Sequence, residues 1–383
     1  MRFLHTGDWH VGKTIRGRSR VDESERALAQ VVDIAVTEGV DALLVAGDVY
    51  EQRAASPEAD RLVFDTLARL SSAGIPVVAV AGNHDSPARF EAFARLLAAV
   101  DVHLVARVRR PDAGGLLPLV SRDGKESALV ACVPFVAERR FADAAEAFAA
   151  PESSFNSYAQ GMAGILAGME AAFRPDCVNL VVGHFFVDGA RPGGGEREVT
   201  LGDAYSLPPG SLPATASYIA LGHIHRPQEV RAARSPARYG GSLLQLDFGE
   251  RDQAKSVTLI DVTAGKPARV ESLAVDAGRK LLDVGGRLED LPRIADQLGD
   301  AYLRVLLAVD RPTPGIADRV RDVLPNALDV SLDYERVEHD EAPSLRTLEP
   351  RHQFVSYYKS VHGIEPHCDL LTAFDDVLEA VEE

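Results

Sequence analysis

The chain has 383 residues, of which 46% are hydrophobic and 6% aromatic, and its formal net charge is −16. This length allows two or three domains with a sizeable core. The acidic balance counts against a protein that binds nucleic acid through its overall charge, but bound cations could reverse the sign of the charge locally.

Apolar runs alternate with amphipathic stretches over the first two thirds of the chain, which is typical of an α/β domain. The apolar runs predict strands at residues 2–5, 41–46, 76–81, 128–133, 177–183, 218–221, 238–240 and 256–262. The amphipathic stretches predict helices at residues 23–38, 57–72, 88–100 and 157–173. Residues 191–195, which read RPGGG, predict an exposed loop.

The pattern changes after about Pro267. Residues 281–337 predict a small strand–helix–strand–helix–strand unit, whose clearest strand is 302–309. Apolar residues then recur at helical spacing in two groups, namely Phe354, Tyr357, Tyr358 and Val361, and Leu370, Leu371, Phe374, Val377, Leu378 and Val381. We therefore predict a main domain over 1–268, a small α/β domain over 269–342 and C-terminal helices over 343–383.

Five of the predicted strands run into a glycine followed by polar residues. The clusters are GDWH at 7–10, GD at 47–48, GNHD at 82–85, GH at 183–184 and GHIH at 222–225. Functional sites of open α/β sheets form outside the carboxyl ends of the strands. Five clusters in this position predict one shared site. The alternative is that these polar residues are structural and form hydrogen bonds inside the core. Because every buried polar group needs a hydrogen-bond partner, this alternative explains one such cluster more easily than five.

The clusters supply seven carboxylate, amide and imidazole donors: Asp8, His10, Asp48, Asn83, His184, His223 and His225. This mixture suits a borderline metal such as manganese, with iron or zinc as alternatives. Seven ligands are too many for one octahedral ion that must also bind a substrate. They suit two ions roughly 3.5–4 Å apart that share one carboxylate. Asp48 is the natural bridge, because Gly47 before it leaves the carboxylate open to both ions.

A second hypothesis comes from residues 7–14, whose sequence GDWHVGKT matches the phosphate-binding pattern GxxxxGK[ST]. That pattern would make the chain an ATPase. It requires a helix directly after the loop, whereas residues 15–20, IRGRSR, predict a basic loop. It also leaves the GNHD, GH and GHIH clusters without a role.

The ordered set DWH, GDV, GNHD, GH and GHIH resembles the calcineurin-like metallophosphoesterases. The segments RFLHTGDWHVGKT, DALLVAGDVYE, VAGNHDSPAR and GGSLLQLDFGE resemble a DNA-nuclease branch of that superfamily, and the resemblance covers most of the chain. It implies a metallophosphoesterase-type β-sandwich flanked by helices, with a small α/β capping domain and C-terminal helices.

The resemblance also implies a ligand set. One ion would be held by Asp8, His10, Asp48 and His225, and the other by Asp48, Asn83, His184 and His223. His84 would face the scissile phosphate as a general acid or transition-state stabiliser. Archaeal and eukaryotic relatives carry a further histidine shortly after the bridging aspartate, whereas residues 49–52 read VYEQ here.

The function that the resemblance implies is that of a manganese-dependent DNA phosphodiesterase, with Mg²⁺, Fe²⁺ or Zn²⁺ as alternative metals. We expect an exonuclease on double-stranded DNA and an endonuclease on single-stranded or hairpin DNA, acting in DNA end processing and repair. The expected partners are a second copy of the chain and a coiled-coil ATPase, on which the C-terminal helices would dock. Packing of these helices on their own domain is the alternative. A phosphatase with the same metal site and a scaffold with an inactive site also stay open.

Basic residues close to the first cluster are candidates for guiding the DNA backbone toward the metals: Lys13, Arg16, Arg18 and Arg20. A solvated loop is the alternative for this group. The N-terminus lacks the apolar core of a signal peptide and no run approaches the ~18 apolar residues of a membrane span, so we expect a cytosolic protein. The widely spaced Cys132, Cys177 and Cys368 predict buried thiols and not a zinc site.

Overall fold

The computed structural model describes residues 1–137, 158–196, 205–334 and 349–382. Its strands are β1 Arg2–Thr6, β2 Thr14–Ile15, β3 Arg18–Ser19, β4 Ala42–Val45, β5 Val77–Val80, β6 Val102–Val105, β7 Leu116–Val120, β8 Ser127–Val133, β9 Val178–His184, β10 Phe186–Val187, β11 Ser206–Leu207, β12 Tyr218–Gly222, β13 Gln228–Glu229, β14 Ala237–Tyr239, β15 Ser256–Asp261, β16 Arg269–Ala274, β17 Leu281–Gly286, β18 Tyr302–Ala308 and β19 Ala327–Asp333. Its helices are α1 Val21–Thr37, α2 Pro57–Ser72, α3 Pro87–Leu97, α4 Tyr158–Glu170, α5 Leu291–Leu298, α6 Ile316–Val323, α7 Pro350–His362 and α8 Cys368–Glu382.

Two six-stranded sheets form a β-sandwich, in the orders β16-β15-β1-β4-β5-β6 and β13-β14-β12-β9-β8-β7. In the first sheet β1, β4, β5 and β6 are parallel. In the second, β8, β9, β12 and β14 are parallel. Leu44 and Val80 from the first sheet pack with Val130 and Leu180 from the second, and all four are fully buried. Both faces of the central strands are therefore covered, which explains their continuous apolar sequences.

Helices cover the outer faces of the sandwich. Side chains alternate between the two faces of a strand, so Leu43 and Val45 of β4 turn toward α1, α2 and α3 while Leu44 turns inward. Helix α4 covers the second sheet through Met162 and Ile165. Ser56 and Ser86 cap α2 and α3 by accepting hydrogen bonds from main-chain N–H groups, which fixes where these helices begin.

A three-stranded sheet of β17, β18 and β19 with α5 and α6 forms the small α/β part. Leu281 and Tyr302 of this sheet pack against Ile15 and Phe248 of the main part. Arg16 Nη2 also lies 3.0 Å from Asp329 Oδ2. The contacts of the chain group into two units, Met1–Ala308 with Pro314–Leu332 and Val309–Thr313 with Asp333–Glu383. The predicted boundaries at 268 and 342 stay predictions.

The second unit contains α7 and α8, which pack against each other. The rings of Phe354 and Phe374 stack with centroids 4.3 Å apart. Arg351 Nε lies 3.0 Å from Asp375 Oδ2. Among the described residues, no helix is both long and apolar enough to span a membrane.

The predicted strands and helices of the main part are confirmed to within a few residues, and the strand–helix–strand–helix–strand order of residues 281–337 is confirmed up to residue 334. The predictions did not include β6, whose apolar residues are interrupted by His103, β7, which contains Pro118, or the exposed edge strand β16, in which polar residues lie between the apolar ones. The expectation of buried thiols holds for Cys132 and Cys177 but is wrong for Cys368, which is exposed at the start of α8.

Candidate metal centre

All five polar clusters lie at one end of the sandwich. Strands β1, β4 and β5 of one sheet and β9 and β12 of the other end there. The two sheets are joined at this end, because the main-chain N–H of His223, after β12, donates to Asp8 Oδ1, after β1, at 3.0 Å. Within the first sheet, the N–H of Asp8 donates to the Gly47 carbonyl at 2.9 Å. The parallel strands thus bring donors from residues 8 to 225 into one pocket.

Asp8, His10 and His225 form one group of donors. Their ligand atoms lie within 4.8 Å of one another, and none of the three residues is more than 2% exposed. His10 Nε2 lies 3.1 Å from His225 Nε2 and 3.6 Å from Asp48 Oδ2. These contacts bring together the residues that the resemblance assigned to the first ion.

The residues assigned to the second ion meet at Asn83. Its Oδ1 lies 2.9 Å from His184 Nε2 and 3.0 Å from His223 Nδ1. His184 Nε2 is also 3.4 Å from Asp48 Oδ2. Asp48 therefore reaches ligands of both groups, which fits the predicted bridge. All seven predicted donors are brought into one pocket, as the sequence predicts.

The chemistry of the facing atoms fits a cation. The Nδ1 atoms of His10 and His225 face the carboxylates of Glu51 and Glu250 at 2.8 and 3.0 Å, so in the neutral rings the hydrogen lies on Nδ1. Their Nε2 lone pairs then point at each other. Two facing lone pairs are stabilised only by a cation or a proton between them. His10 and His225 therefore fit a divalent ion held by their Nε2 atoms.

The pKa values of the buried donors are shifted by burial and by the charges of their neighbours. Burial disfavours the imidazolium form, but the carboxylates of Asp48 and Asp8 outweigh it and raise the pKa of His184 to about 9. Burial lowers the pKa of His10 to about 4. Burial also raises the pKa of Asp8 to about 6, against the charges of His184 and His225. The carboxylates of Asp8 and Asp48 thus favour positive charge among the donors, which is the charge that bound cations would supply.

The backbone of the ligand loops is held in sparsely populated conformations. Asp8, His10, Asp48 and His223 all have positive φ, between 47° and 95°. Such conformations cost of order 1–3 kcal/mol each and persist at functional sites where the surrounding structure enforces them. Asp85 contributes to that enforcement, because its buried carboxylate accepts main-chain N–H groups of Gly82, Val49 and Tyr50.

His84 lies at the edge of this pocket with its ring 8% exposed. Its Nδ1 lies 2.8 Å from the Glu51 carbonyl, to which it donates, and its ring meets that of His10 edge-on at 4.7 Å between centroids. The carbonyl fixes the hydrogen on Nδ1 and the direction of the ring. The position is consistent with a side chain that contacts a substrate phosphate.

Sequence reasoning missed the two glutamates behind His10 and His225. Glu51 lies three residues after Asp48, and Glu250 ends the GGSLLQLDFGE segment. No spacing rule distinguishes them from the other acidic residues.

The basic residues near the first cluster do not share one environment. Arg18 is exposed on a small hairpin of β2 and β3, and Arg16 of the same hairpin pairs with Asp329. Lys13 pairs with Glu51 at 2.9 Å. Arg20 is a correction to the expectation of a DNA contact, because it is 1% exposed, pairs with Glu23 and donates to the Gln245 carbonyl. Its guanidinium holds loops together and has no free face for a phosphate.

The hairpin also decides against the ATPase hypothesis. A phosphate-binding loop must lead into a helix whose N-terminus faces the phosphates. Here residues 14–19 form the hairpin, and α1 begins only at Val21. Asp8 and His10 of the matching segment contribute instead to the metal pocket.

The fold and this pocket define a metallophosphoesterase. The model of the calcineurin-like phosphoesterase family matches residues 1–227, a range that holds His84 and all seven donors. SbcD, a subunit of the SbcCD nuclease, is 30% identical in Bacillus subtilis over 398 residues, with 100% of this chain and 99% of that protein covered. SbcD of Rhodobacter capsulatus is 33% identical over 280 residues, which cover 70% of this chain and 68% of the relative. That of Escherichia coli K12 is 30% identical over 308 residues, which cover 78% and 74%. The chain belongs to the calcineurin-like phosphoesterases and, within them, to the family of SbcD nucleases.

Proposed function

We propose that this chain is a two-metal DNA phosphodiesterase that works with an SbcC-type coiled-coil ATPase in DNA end processing and repair. The observation that carries the proposal is the convergence of seven metal-type donors in one place, with Asp48 in contact with both groups. The relatives named as SbcCD nucleases support DNA as the substrate. The exonuclease activity on duplexes and the endonuclease activity on single strands or hairpins are part of the proposal.

Manganese is the metal that we propose, with Mg²⁺, Fe²⁺ or Zn²⁺ as alternatives. Asp8, His10, Asp48 and His225 would hold one ion, and Asp48, Asn83, His184 and His223 the other. Two divalent ions in such a site stabilise negative charge on a phosphate and provide a strong nucleophile at neutral pH.

The protein's own residues would orient the substrate and handle the leaving group. His84 Nδ1 is engaged with the Glu51 carbonyl. When the ring is in its imidazolium form, the Nε2–H would protonate the departing sugar oxygen or stabilise its charge, and the ring would be left neutral with its hydrogen on Nδ1. Arg16 and Arg18 lie on the exposed hairpin that follows the first polar cluster in the chain, and they would position the phosphate backbone without reading sequence. Lys13 would contribute less to this surface, because it pairs with Glu51 and its side chain is only 21% exposed.

The C-terminal helix pair is the part that we propose for docking on the ATPase. Phe354 and Phe374 hold the pair together, while Tyr357, Val361 and Val377 are 63%, 55% and 63% exposed. Exposed apolar residues on an amphipathic helix suit a helix-in-groove contact with a partner. Assembly as a homodimer in the cytoplasm is proposed from the family resemblance alone.

The decisive experiment compares linear duplex DNA, hairpin DNA, a chromogenic phosphodiester and a chromogenic phosphomonoester, with and without Mn²⁺ and the ATPase partner. We expect Mn²⁺-dependent cleavage of DNA and of the phosphodiester, and stimulation on DNA by the partner with ATP. Faster hydrolysis of the monoester than of any DNA would replace the nuclease with a phosphatase. A purified chain that binds no metal would favour an inactive scaffold.

A further inference from the structure

We propose that Glu51 and Glu250 are positioning residues that set the metal affinity of one half of the centre, the half at His10 and His225. This inference rests on the proposed function, since it assigns roles within the same pair of ion sites. The two glutamates are distant in sequence and lie in different loops. Each contacts the Nδ1 atom of one of two histidines, His10 and His225, whose Nε2 atoms are 3.1 Å apart.

Glu51 is fixed behind His10 by main-chain pairing of the two ligand loops. His10 N donates to the Asp48 carbonyl at 3.0 Å, and Glu51 N donates to the Val11 carbonyl at 3.1 Å. The side chain then places Oε2 2.8 Å from His10 Nδ1, while Oε1 accepts from Lys13 at 2.9 Å. Both oxygens are engaged, so the carboxylate has one orientation. Since the Glu51 carbonyl also accepts from His84, this residue ties the metal ligand to the side chain that would face the phosphate.

Glu250 is held more rigidly still. It is fully buried, and its Oε1 lies 3.0 Å from His225 Nδ1. Its Oε2 accepts from Lys255 at 2.7 Å and from the N–H of Leu246 at 3.1 Å. Lys255 donates in addition to the His225 carbonyl at 3.0 Å, so main chain and side chain of this ligand are held by one network.

Glycine at position 195 lets a loop close over this pair. A Cβ there would come within 2.7 Å of Glu250 Oε1 and 3.0 Å of His225 Nδ1. Water is therefore kept from the hydrogen bond between them. The N–H of His225 is held as well, by Glu196 Oε1 at 2.8 Å. Burying a lysine–glutamate pair carries a desolvation penalty. The pair formed by Lys255 and Glu250 holds the proposed metal ligand His225 in place, which would explain why the protein tolerates this penalty.

The other half of the centre is built differently at His184. Its Nδ1 donates to the neutral carbonyl of Ala46 at 2.8 Å. A carboxylate behind a ligating histidine makes the ring a stronger base toward a metal than a carbonyl does, and loss of such a partner typically costs about 10–100-fold in metal affinity. Removing Glu51 or Glu250 should therefore weaken one half selectively.

The test is Mn²⁺ binding by the full-length chain, followed by the EPR signal of free Mn²⁺, in wild type, Glu51→Gln and Glu250→Gln. We expect two binding steps in wild type and a loss of about 10–100-fold in the affinity of the same single step in each variant. Asn83→Ala should weaken the step that the glutamate variants leave unchanged. Glu271→Gln, on the exposed edge strand β16, is the matched control and should bind like wild type.

At saturating Mn²⁺ the EPR spectrum of a coupled metal pair should return in both glutamine variants, since the ligands themselves are intact. If Glu250→Gln leaves Lys255 unpaired and does not fold, Glu51→Gln decides, because Glu51 and Lys13 are partly exposed at 17% and 21%. Unchanged isotherms, or an equal loss in both steps, would overturn this inference while leaving the proposed function intact. A wild-type chain without Mn²⁺ binding would overturn both.

Discussion

The carboxylate of Asp48 accepts a hydrogen bond from the main-chain N–H of His84 at 2.8 Å. The residue that reaches both groups of donors thus also positions the backbone of the residue that would face the phosphate. Metal binding and orientation of His84 share one contact in this arrangement. Substitutions can separate the two roles, because the contact uses only the backbone of His84.

His84→Ala should retain the metals but lose cleavage. The alanine keeps the N–H that Asp48 accepts, whereas the ring that would act as an acid is gone. We expect the rate of phosphodiester hydrolysis to fall by about 10²–10⁴-fold at unchanged Mn²⁺ content. Metal analysis and a single-turnover assay measure the two quantities. Retained turnover would remove His84 from the mechanism.

Asp48→Asn should abolish tight binding of both ions. The amide removes a negative charge that lies 3.4 Å from His184 Nε2 and 3.6 Å from His10 Nε2. We expect both Mn²⁺ binding steps to weaken and DNA cleavage to disappear. Asp65→Asn, which changes a side chain 61% exposed on α2, is the control and should leave both unchanged. Full activity of Asp48→Asn would exclude a bridging role.

Gly47→Ala should displace His184 although it adds only a methyl group. Gly47 has φ 89°, and a Cβ there would overlap the His184 ring. Gly39 also has positive φ, at 59°, but nothing lies within 4 Å of its Cβ position. We expect Gly39→Ala to lower the free energy of unfolding by only about 1–3 kcal/mol. Gly47→Ala should in addition lose affinity for Mn²⁺, and equal behaviour of the two variants would contradict the packing argument.

Removal of the C-terminal helices should separate catalysis from assembly. A chain that ends at residue 342 lacks α7 and α8 but keeps all seven donors. We expect it to retain Mn²⁺-dependent nuclease activity and to lose binding to an SbcC-type ATPase in co-purification. The double variant Tyr357→Ser, Val361→Ser tests the exposed apolar face within the full chain. Undiminished binding by both variants would place the docking surface elsewhere.

The seven donors were predictable because each belongs to a short polar cluster that follows an apolar strand and a glycine, a local pattern that needs no knowledge of tertiary contacts. The hydrogen-bond partners of the Nδ1 atoms of His10 and His225 were not predictable. Glu51 and Glu250 reach His10 and His225 only through pairing of loops that are distant in sequence. For Arg20 the sequence was misleading, because a run of basic residues predicts an exposed loop, whereas the Arg20 side chain is buried. Its burial depends on Glu23 and on a carbonyl 225 residues away.

The Arg20–Glu23 pair should make the stability of the chain depend on pH. Burial acts to raise the pKa of Glu23, but the hydrogen bond and charge of Arg20 outweigh it and hold that pKa below its usual value. The folded pKa is thus lower than the unfolded one, so the stabilisation is present above the unfolded pKa of about 4.3 and is lost as the pH falls. Glu23→Gln should lower the free energy of unfolding by roughly 3 kcal/mol at neutral pH, since it leaves a buried guanidinium without its partner.

The difference between wild type and Glu23→Gln should narrow as denaturation is followed from pH 7 toward pH 3. The exposed pair of Arg61 and Asp65 is the control, because its side chains are 55% and 61% exposed. Asp65→Asn should change the free energy of unfolding by at most about 1 kcal/mol, as surface ion pairs do. A constant difference across the pH range would show that Glu23 acts through its shape and not through its charge. In that case the burial of Arg20 would have to be stabilised by its other contacts, the Gln245 carbonyl and the ring of Tyr302.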